Sequence, residues 1–174
     1  MISIDNYYMR LVLPSIKYKE LYKEALEEAK HETQETQLNK PSDGESFEDF
    51  VKKLKDNARG LNLPKGYVPA TMFWLIDNDE FIGRLQIRHK LNENLLKHGG
   101  HIGFYIRPSK RKMGYGTKML KLGLKKARKR GLPKVLITCD DNNIGSVRII
   151  EKNGGILENI ENGNPKERRY WISF

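Results

Sequence analysis

The chain has a single cysteine, Cys139, among 174 residues. That excludes an internal disulfide and any cysteine-rich metal centre, and it fits a reducing compartment. Long apolar runs are also missing: none approaches the roughly 20 residues a membrane-spanning helix needs, so no membrane partner is expected. The opening residues, Met1-Ile2-Ser3-Ile4-Asp5, lack the basic-then-apolar order of a secretory leader, which makes the cytoplasm the expected compartment. There is no internal repeat or low-complexity tract, and the length suits one domain over 1–174. The last absence is local. Between residues 101 and 134 there is no Asp or Glu, against twelve Lys and Arg, while the remaining twenty Lys and Arg face 22 acidic residues. One segment therefore carries the net charge of +10. Such a block suits a polyanion, either nucleic acid or a phosphate-bearing small molecule, and a plain solvated helix face has the same composition.

Periodicity predicts the elements. Met9 to Leu13 reads as a short strand ended by Pro14. Tyr18, Leu21, Tyr22, Ala25, Leu26 and Ala29 then recur at helical spacing, with Ser15 as the expected cap. Residues 33–45 read as a loop, and Ser46 opens a shorter amphipathic helix through Phe47, Phe50, Val51 and Leu54. Residues 57–69 connect to two strands, 71–76 and 81–88, joined by Asp77-Asn78-Asp79-Glu80 as a hairpin. A helical turn near 91–97 ends at Gly99-Gly100, followed by a strand over 101–106 and a helix over 115–130. Strand 135–139, helix 144–152 and a closing hairpin of 156–160 with 169–174 complete the chain. The order β-α-α-β-β-β-α-β-α-β-β predicts an α/β (α+β) fold: a mixed, mostly antiparallel sheet of about seven strands flanked by helices.

The chemistry concentrates where strand 101–106 runs through Arg111-Lys112-Met113-Gly114-Tyr115-Gly116-Thr117 into the basic helix. Glycines let the backbone approach a ligand, and the free N–H groups of a helix N-terminus favour an anion. A Walker loop is excluded, because Gly116-Thr117-Lys118 has Lys after Thr and the glycine spacing is too short. A dinucleotide fingerprint is excluded as well, because the motif lies two-thirds along the chain and lacks a third glycine and the acidic residue beyond.

The Arg-x-x-Gly-x-Gly pattern at 111–116 resembles the pyrophosphate-binding signature of the GNAT N-acetyltransferase superfamily. A second element supports the likeness: Asn143-Ile144-Gly145-Ser146, then Glu151-Lys152-Asn153-Gly154, looks like that family's Asn-x-x-Ser helix and its ending. The resemblance implies acetyl-CoA as co-substrate, with no metal, and a GNAT-like sheet whose strands splay at the cofactor. It implies that the backbone of Phe104, Tyr105 and Ile106 pairs with the pantetheine arm. The N–H groups from Arg111, Lys112, Met113, Gly114, Tyr115, Gly116 and Thr117 would hold the pyrophosphate, with the Arg111 side chain and the Thr117 hydroxyl assisting. Asn143 and Ser146 would line the thioester end, and the basic helix would serve the 3′-phosphate.

The departure is Ile150, where many members carry a tyrosine thought to protonate the leaving thiolate. Cys139, Tyr105 and Tyr170 are the substitutes to test, although each residue type in such strands is more often core. Gly155 also replaces a usual aromatic. For the base that frees an ammonium substrate for attack, His101 heads the candidates, with His89, Glu93 and Glu32 as alternatives. Arg84 and Arg88, spaced for one strand face, suit a substrate carboxylate. The expected activity is direct transfer of acetyl to a primary amine of a small molecule or peptide, with a backbone N–H of the cofactor strand stabilising the oxyanion. The rivals are a coenzyme-A-binding protein without catalysis and a basic nucleic-acid module. The basic block is expected to expose no interleaved aromatic beyond Tyr115, so nucleic acid is not expected as a partner; a homodimer is left open.

Overall fold

The computed structural model describes residues 9–32 and 38–174. The leader reading at Met1–Asp5 and the first part of the 33–45 loop lie outside them. The elements are β1 (Arg10–Val12), α1 (Lys19–Ala29), α2 (Phe47–Arg59), β2 (Ala70–Asp77), β3 (Glu80–Arg88), α3 (Glu93–Lys97), β4 (Ile102–Ile106), α4 (Tyr115–Lys129), β5 (Lys134–Asp140), α5 (Ile144–Lys152), β6 (Ile156–Glu161) and β7 (Glu167–Ser173). No helix among the described residues is long and apolar enough to cross a membrane.

Local chemistry accounts for most boundaries. Asn78 and Asp79 both take positive φ, 46° and 57°, as a two-residue hairpin loop requires, and β2 pairs antiparallel with β3 on either side. The Ser46 side chain accepts from the Asp49 N–H at 3.0 Å and caps α2. Ser15 makes no such bond: a 3-10 turn over Ile16–Tyr18 intervenes, and α1 begins only at Lys19. The expected cap there is not formed.

The seven strands divide into two hydrogen-bonded sheets, β1-β2-β3-β4 and β5-β7-β6, with every pairing antiparallel. α1 and α2 cover one face of the first sheet through an aromatic cluster in which Tyr22 stacks on Trp74 at 4.5 Å between ring centroids. The other face packs on α4 and continues into the second sheet: Leu85, Ile102, Met119, Leu120, Val135, Ile137 and Tyr170 form one core. Gly123 lets α4 come close, since a Cβ there would sit 2.5 Å from Leu85. Burial of these side chains is the main term holding both sheets to one helix, roughly 1.5–3 kcal/mol for each large apolar side chain.

Candidate active site

β4 and β5 meet at one point and part beyond it. The His101 N–H donates to the Leu136 carbonyl at 2.7 Å, and the Leu136 N–H donates back to His101 Nδ1 at 2.9 Å. The Gly99 N–H adds a bond to Thr138 Oγ1 at 2.9 Å. Gly100 permits the crossing: its φ is +57°, and a Cβ would fall 2.4 Å from the Leu136 carbonyl oxygen. Past this vertex no ladder joins the two sheets among the described residues.

The edge of β4 that faces the gap can be assigned from its pairing with β3. The Arg88 N–H donates to the His101 carbonyl and the Arg107 N–H to the Ile82 carbonyl. Antiparallel alternation then turns the backbone of Gly103 and Tyr105 towards β3 and that of Ile102, Phe104 and Ile106 towards β5. Within the expected run 104–106, Phe104 and Ile106 therefore present backbone groups to the gap, whereas Tyr105 does not. The Tyr105 ring is buried on the α1 side, its hydroxyl donating to Glu32 at 2.6 Å.

The gap opens as a cleft of about 330 Å3. Arg84, Gln86, Gly103 and Phe104 line its first wall; Cys139, Asp140, Asn143, Ser146 and Glu167 line the second. Asn143 caps α5 by accepting from the Ser146 N–H at 3.0 Å, which fixes both residues at the cleft. Glu167 was not visible in the sequence as a site residue. It registers opposite Asp140 across the β5–β7 pairing, and its carboxylate holds His98 Nδ1 at 2.6 Å. A long-range strand register of this kind leaves no local signal.

At the far end of β4 the glycine turn is held from outside. Glu28 on α1 accepts from the Arg107 side chain at 2.6 Å and from the Ser109 backbone and hydroxyl. Burial raises the Glu28 pKa, but these hydrogen bonds outweigh it and hold the carboxyl below its usual range. The Tyr115 hydroxyl donates to Asp77 at 2.8 Å. Arg111, expected to reach the ligand, donates to the Ile106 carbonyl at 2.9 Å and to Glu32 at 2.7 Å while its side chain stays exposed. These bonds tie the turn to the segment just past α1 and to the end of β4. Lys112 and Gly114 take positive φ, 62° and 84°. The N–H groups from Met113 to Thr117 find no acceptor among the described residues. They are a row of free donors that could hold an anion, with Lys112 and Lys118 exposed beside it.

The three residues proposed for proton chemistry lie apart. His101 sits at the vertex, 8% exposed, and burial, with the nearby Arg88 charge second, lowers its pKa. Because Nδ1 accepts from Leu136, the neutral ring carries its proton on Nε2 and has no free basic nitrogen. Cys139 lines the cleft, but burial pushes its thiol up to about 11, so it is no activated nucleophile. Tyr170 is fully buried, its hydroxyl donating to Glu151 at 3.0 Å; it belongs to the core and not to the cleft lining. Ile150 is also fully buried, and a Cβ on Gly155 would lie 2.4 Å from its Cγ2. The two departures from the family pattern thus fit each other. His89 bonds Thr71 and the Arg130 guanidinium, and burial together with Arg130 lowers its pKa to about 4. Arg88 ties its guanidinium to the Gly99 and Gly100 carbonyls at 2.8 and 2.9 Å, while burial lowers the Arg84 pKa to about 10. Among the described residues no group of three or more His, Cys, Asp or Glu could hold a metal ion.

Comparison with known proteins follows the same lines. A family model described as an acetyltransferase (GNAT) domain matches residues 10–156. The chain superposes on RimL, a ribosomal alpha-N-protein acetyltransferase solved with coenzyme A, with a TM-score of 0.67, 18% identity, and 95% and 94% of the two chains covered. It superposes on the microcin self-immunity acetyltransferase MccE, solved with acetyl-CoA and AMP, with a TM-score of 0.65, 16% identity, and 97% and 94% covered. An acetyltransferase from Salmonella typhimurium that modifies the N-terminal serine of a 50S ribosomal subunit protein gives a TM-score of 0.63, 18% identity, and 95% of each chain covered. At these identities the likeness shows the fold. No curated protein matches.

Proposed function

Because the chain belongs to the GNAT acetyltransferase family and is an acyltransferase, we propose that it moves an acetyl group from acetyl-CoA directly to a primary amine. The observation that carries this reading is the continuity of one path. The unpaired amides of Met113–Thr117, the open β4 edge at Phe104 and Ile106, and the cleft between Ser146 and Glu167 follow one another along a single strand.

The residues fit the donor. The amide cradle, Lys112 in the turn before α4 and Lys118 in its first turn suit a pyrophosphate and a 3′-phosphate. The backbone of Phe104 and the Ile106 N–H would pair with the amides of the pantetheine arm, while the Ile106 carbonyl is taken by Arg111. When bound, acetyl-CoA supplies a thioester whose carbonyl carbon an amine can attack. The Phe104 N–H would stabilise negative charge on the carbonyl oxygen. The Ser146 hydroxyl has no bond to a described group and would donate to the sulfur, the role Ile150 cannot fill. We assign proton removal from the attacking ammonium to Glu167, with Asp140 adding negative charge beside it. Direct transfer is favoured over an acetyl-enzyme, because the cleft thiol is held protonated.

The acceptor is a primary amine on a small molecule or a peptide N-terminus. The second option draws support from RimL and the Salmonella typhimurium protein, whose names specify protein N-termini. The test is acetyl-CoA consumption over polyamines, amino acids, aminoglycosides and serine-initiated peptides. Turnover with one class supports the assignment. Tight acetyl-CoA binding with no turnover on any class would favour a coenzyme-A-binding protein without catalysis.

A further inference from the structure

We propose that the acceptor is a free amino acid, held by its carboxylate on Arg88 and by its ammonium on Glu167. The inference deepens the acetyl-transfer reading above and rests on it. Its basis is a charge arrangement along the residues His98, Gly99 and Gly100. Arg88 Nη1 donates to the Gly99 and Gly100 carbonyls at 2.8 and 2.9 Å. One residue earlier, the Glu167 carboxylate accepts from His98 Nδ1 at 2.6 Å. Neighbouring Cα atoms are about 3.8 Å apart, so one short loop fixes a guanidinium and a carboxylate beside each other. They form no ion pair: Glu167 meets His98, and Arg88 meets no carboxylate among the described residues. Both line the cleft.

What each group has left over selects the ligand. Both Nη1 protons of Arg88 are spent on the loop, which leaves the edge formed by Nε and Nη2 without an acceptor among the described residues. That edge carries two parallel N–H groups, the match for the two oxygens of one carboxylate. The side chain is only partly exposed, and burial lowers its pKa. A half-desolvated cation without a counter-charge is costly, and a bound carboxylate removes that cost. On the opposite wall Glu167 Oε2 is taken by His98, while Oε1 accepts no bond among the described residues. Asp140 registers beside it across the β5–β7 pairing, so this wall suits an ammonium. Arg84 and Gln86 stand at two-residue spacing from Arg88 on the same face of β3 and continue the first wall.

The arrangement discriminates among amines. A polyamine or an aminoglycoside has no anion for Arg88 and brings further cations against Arg84 and Arg88. A peptide N-terminus offers Arg88 a neutral carbonyl, which forgoes the charge-assisted pair. An aminoalkyl phosphate leaves its third oxygen without a donor on the two-proton edge. A free amino acid supplies both charges from a single carbon, and a cleft of about 330 Å3 is at the small end of ligand sites.

The experiment is a steady-state acetyl-transfer assay of the full chain at saturating acetyl-CoA. The acceptors are the free amino acids, their α-amides, spermidine and aminoethyl phosphate. At least one amino acid is expected to exceed its own amide in kcat/KM by about tenfold or more, the share of a charge-assisted hydrogen bond. In Arg88→Gln that preference is expected to vanish, through KM rather than kcat. Arg88→Lys keeps the charge without the fork and should retain part of it. The wild-type comparison decides the matter even if a variant fails to fold. An amide, spermidine or aminoethyl phosphate turned over as well as every free amino acid overturns the inference and leaves acetyl transfer in place. So does a preference for the acid that survives in Arg88→Gln. No turnover with any of these amines ends the transfer reading itself, and this inference with it.

Discussion

Leu136 and His101 exchange two hydrogen bonds, backbone to backbone at 2.7 Å and backbone to imidazole Nδ1 at 2.9 Å. They are the hinge from which β4 and β5 diverge. Burial, with the Arg88 charge second, lowers the His101 pKa, which keeps the imidazole neutral and Nδ1 able to accept. The cleft therefore depends on a histidine that does not itself exchange protons.

Replacing His101 separates these roles. His101→Leu strands the Leu136 N–H and is expected to cost about 1–3 kcal/mol in urea unfolding. His101→Asn retains an acceptor and should keep turnover within a few-fold of wild type; a loss of several hundredfold would return His101 to the role of base. The pH dependence has a definite sign. An unfolded histidine titrates near 6.5, and the folded values of His101 and His89 lie lower, about 4 for His89. The unfolded chain binds the proton first, so stability falls as pH drops below about 6.5 and levels off only near the folded values. Thermal midpoints measured from pH 7 to pH 4 should show this decline, and it should be shallower in His101→Asn.

Glu167→Gln should lower kcat by on the order of 100-fold or more, the usual share of a general base, with acetyl-CoA affinity unchanged by calorimetry. Equal losses in kcat and in donor affinity would mean that Glu167 shapes the cleft without touching the amine.

Cys139 is expected to alkylate slowly with iodoacetamide at pH 8, because its thiol is pushed up to about 11. Cys139→Ala should retain activity, and initial-rate patterns should intersect as for a ternary complex. Parallel lines together with an inactive alanine variant would instead indicate an acetyl-enzyme.

Gly155→Ala should destabilise by about 1–3 kcal/mol, since the added methyl meets Ile150 Cγ2 at 2.4 Å and its carbonyl oxygen at 3.0 Å. Ile150→Ala opens a cavity at the same place. The double variant should lose less than the sum of the two, with the coupling read from chemical denaturation.

What the sequence disclosed was mostly what is local. The Asn78–Asp79 turn, the Ser46 cap and the glycine turn into α4 are each set by a few adjacent residues. The family motif pointed to the proposed cofactor path, because Gly114 and Asn143 act through backbone geometry close to themselves. Partners distant in the chain stayed hidden. The pairing of Arg111 with Glu32, 79 residues away, leaves no trace in the local motif. Glu167 has no motif and becomes a cleft residue only through the register of β5 with β7. Ser15 failed as a cap because a 3-10 turn starts the segment before α1 can.

Isothermal titration of the full chain with acetyl-CoA bears most directly on the central claim, with Gly114→Ala measured beside it. Gly114 sits at φ 84°, where an L side chain costs about 1–2 kcal/mol; the free variant is expected to relax this turn, and restoring it on binding should weaken affinity by on the order of tenfold. Wild type should show one saturable site per chain. Absence of heat at millimolar acetyl-CoA, or equal affinity in Gly114→Ala, would contradict the account of this turn as the donor's anion cradle.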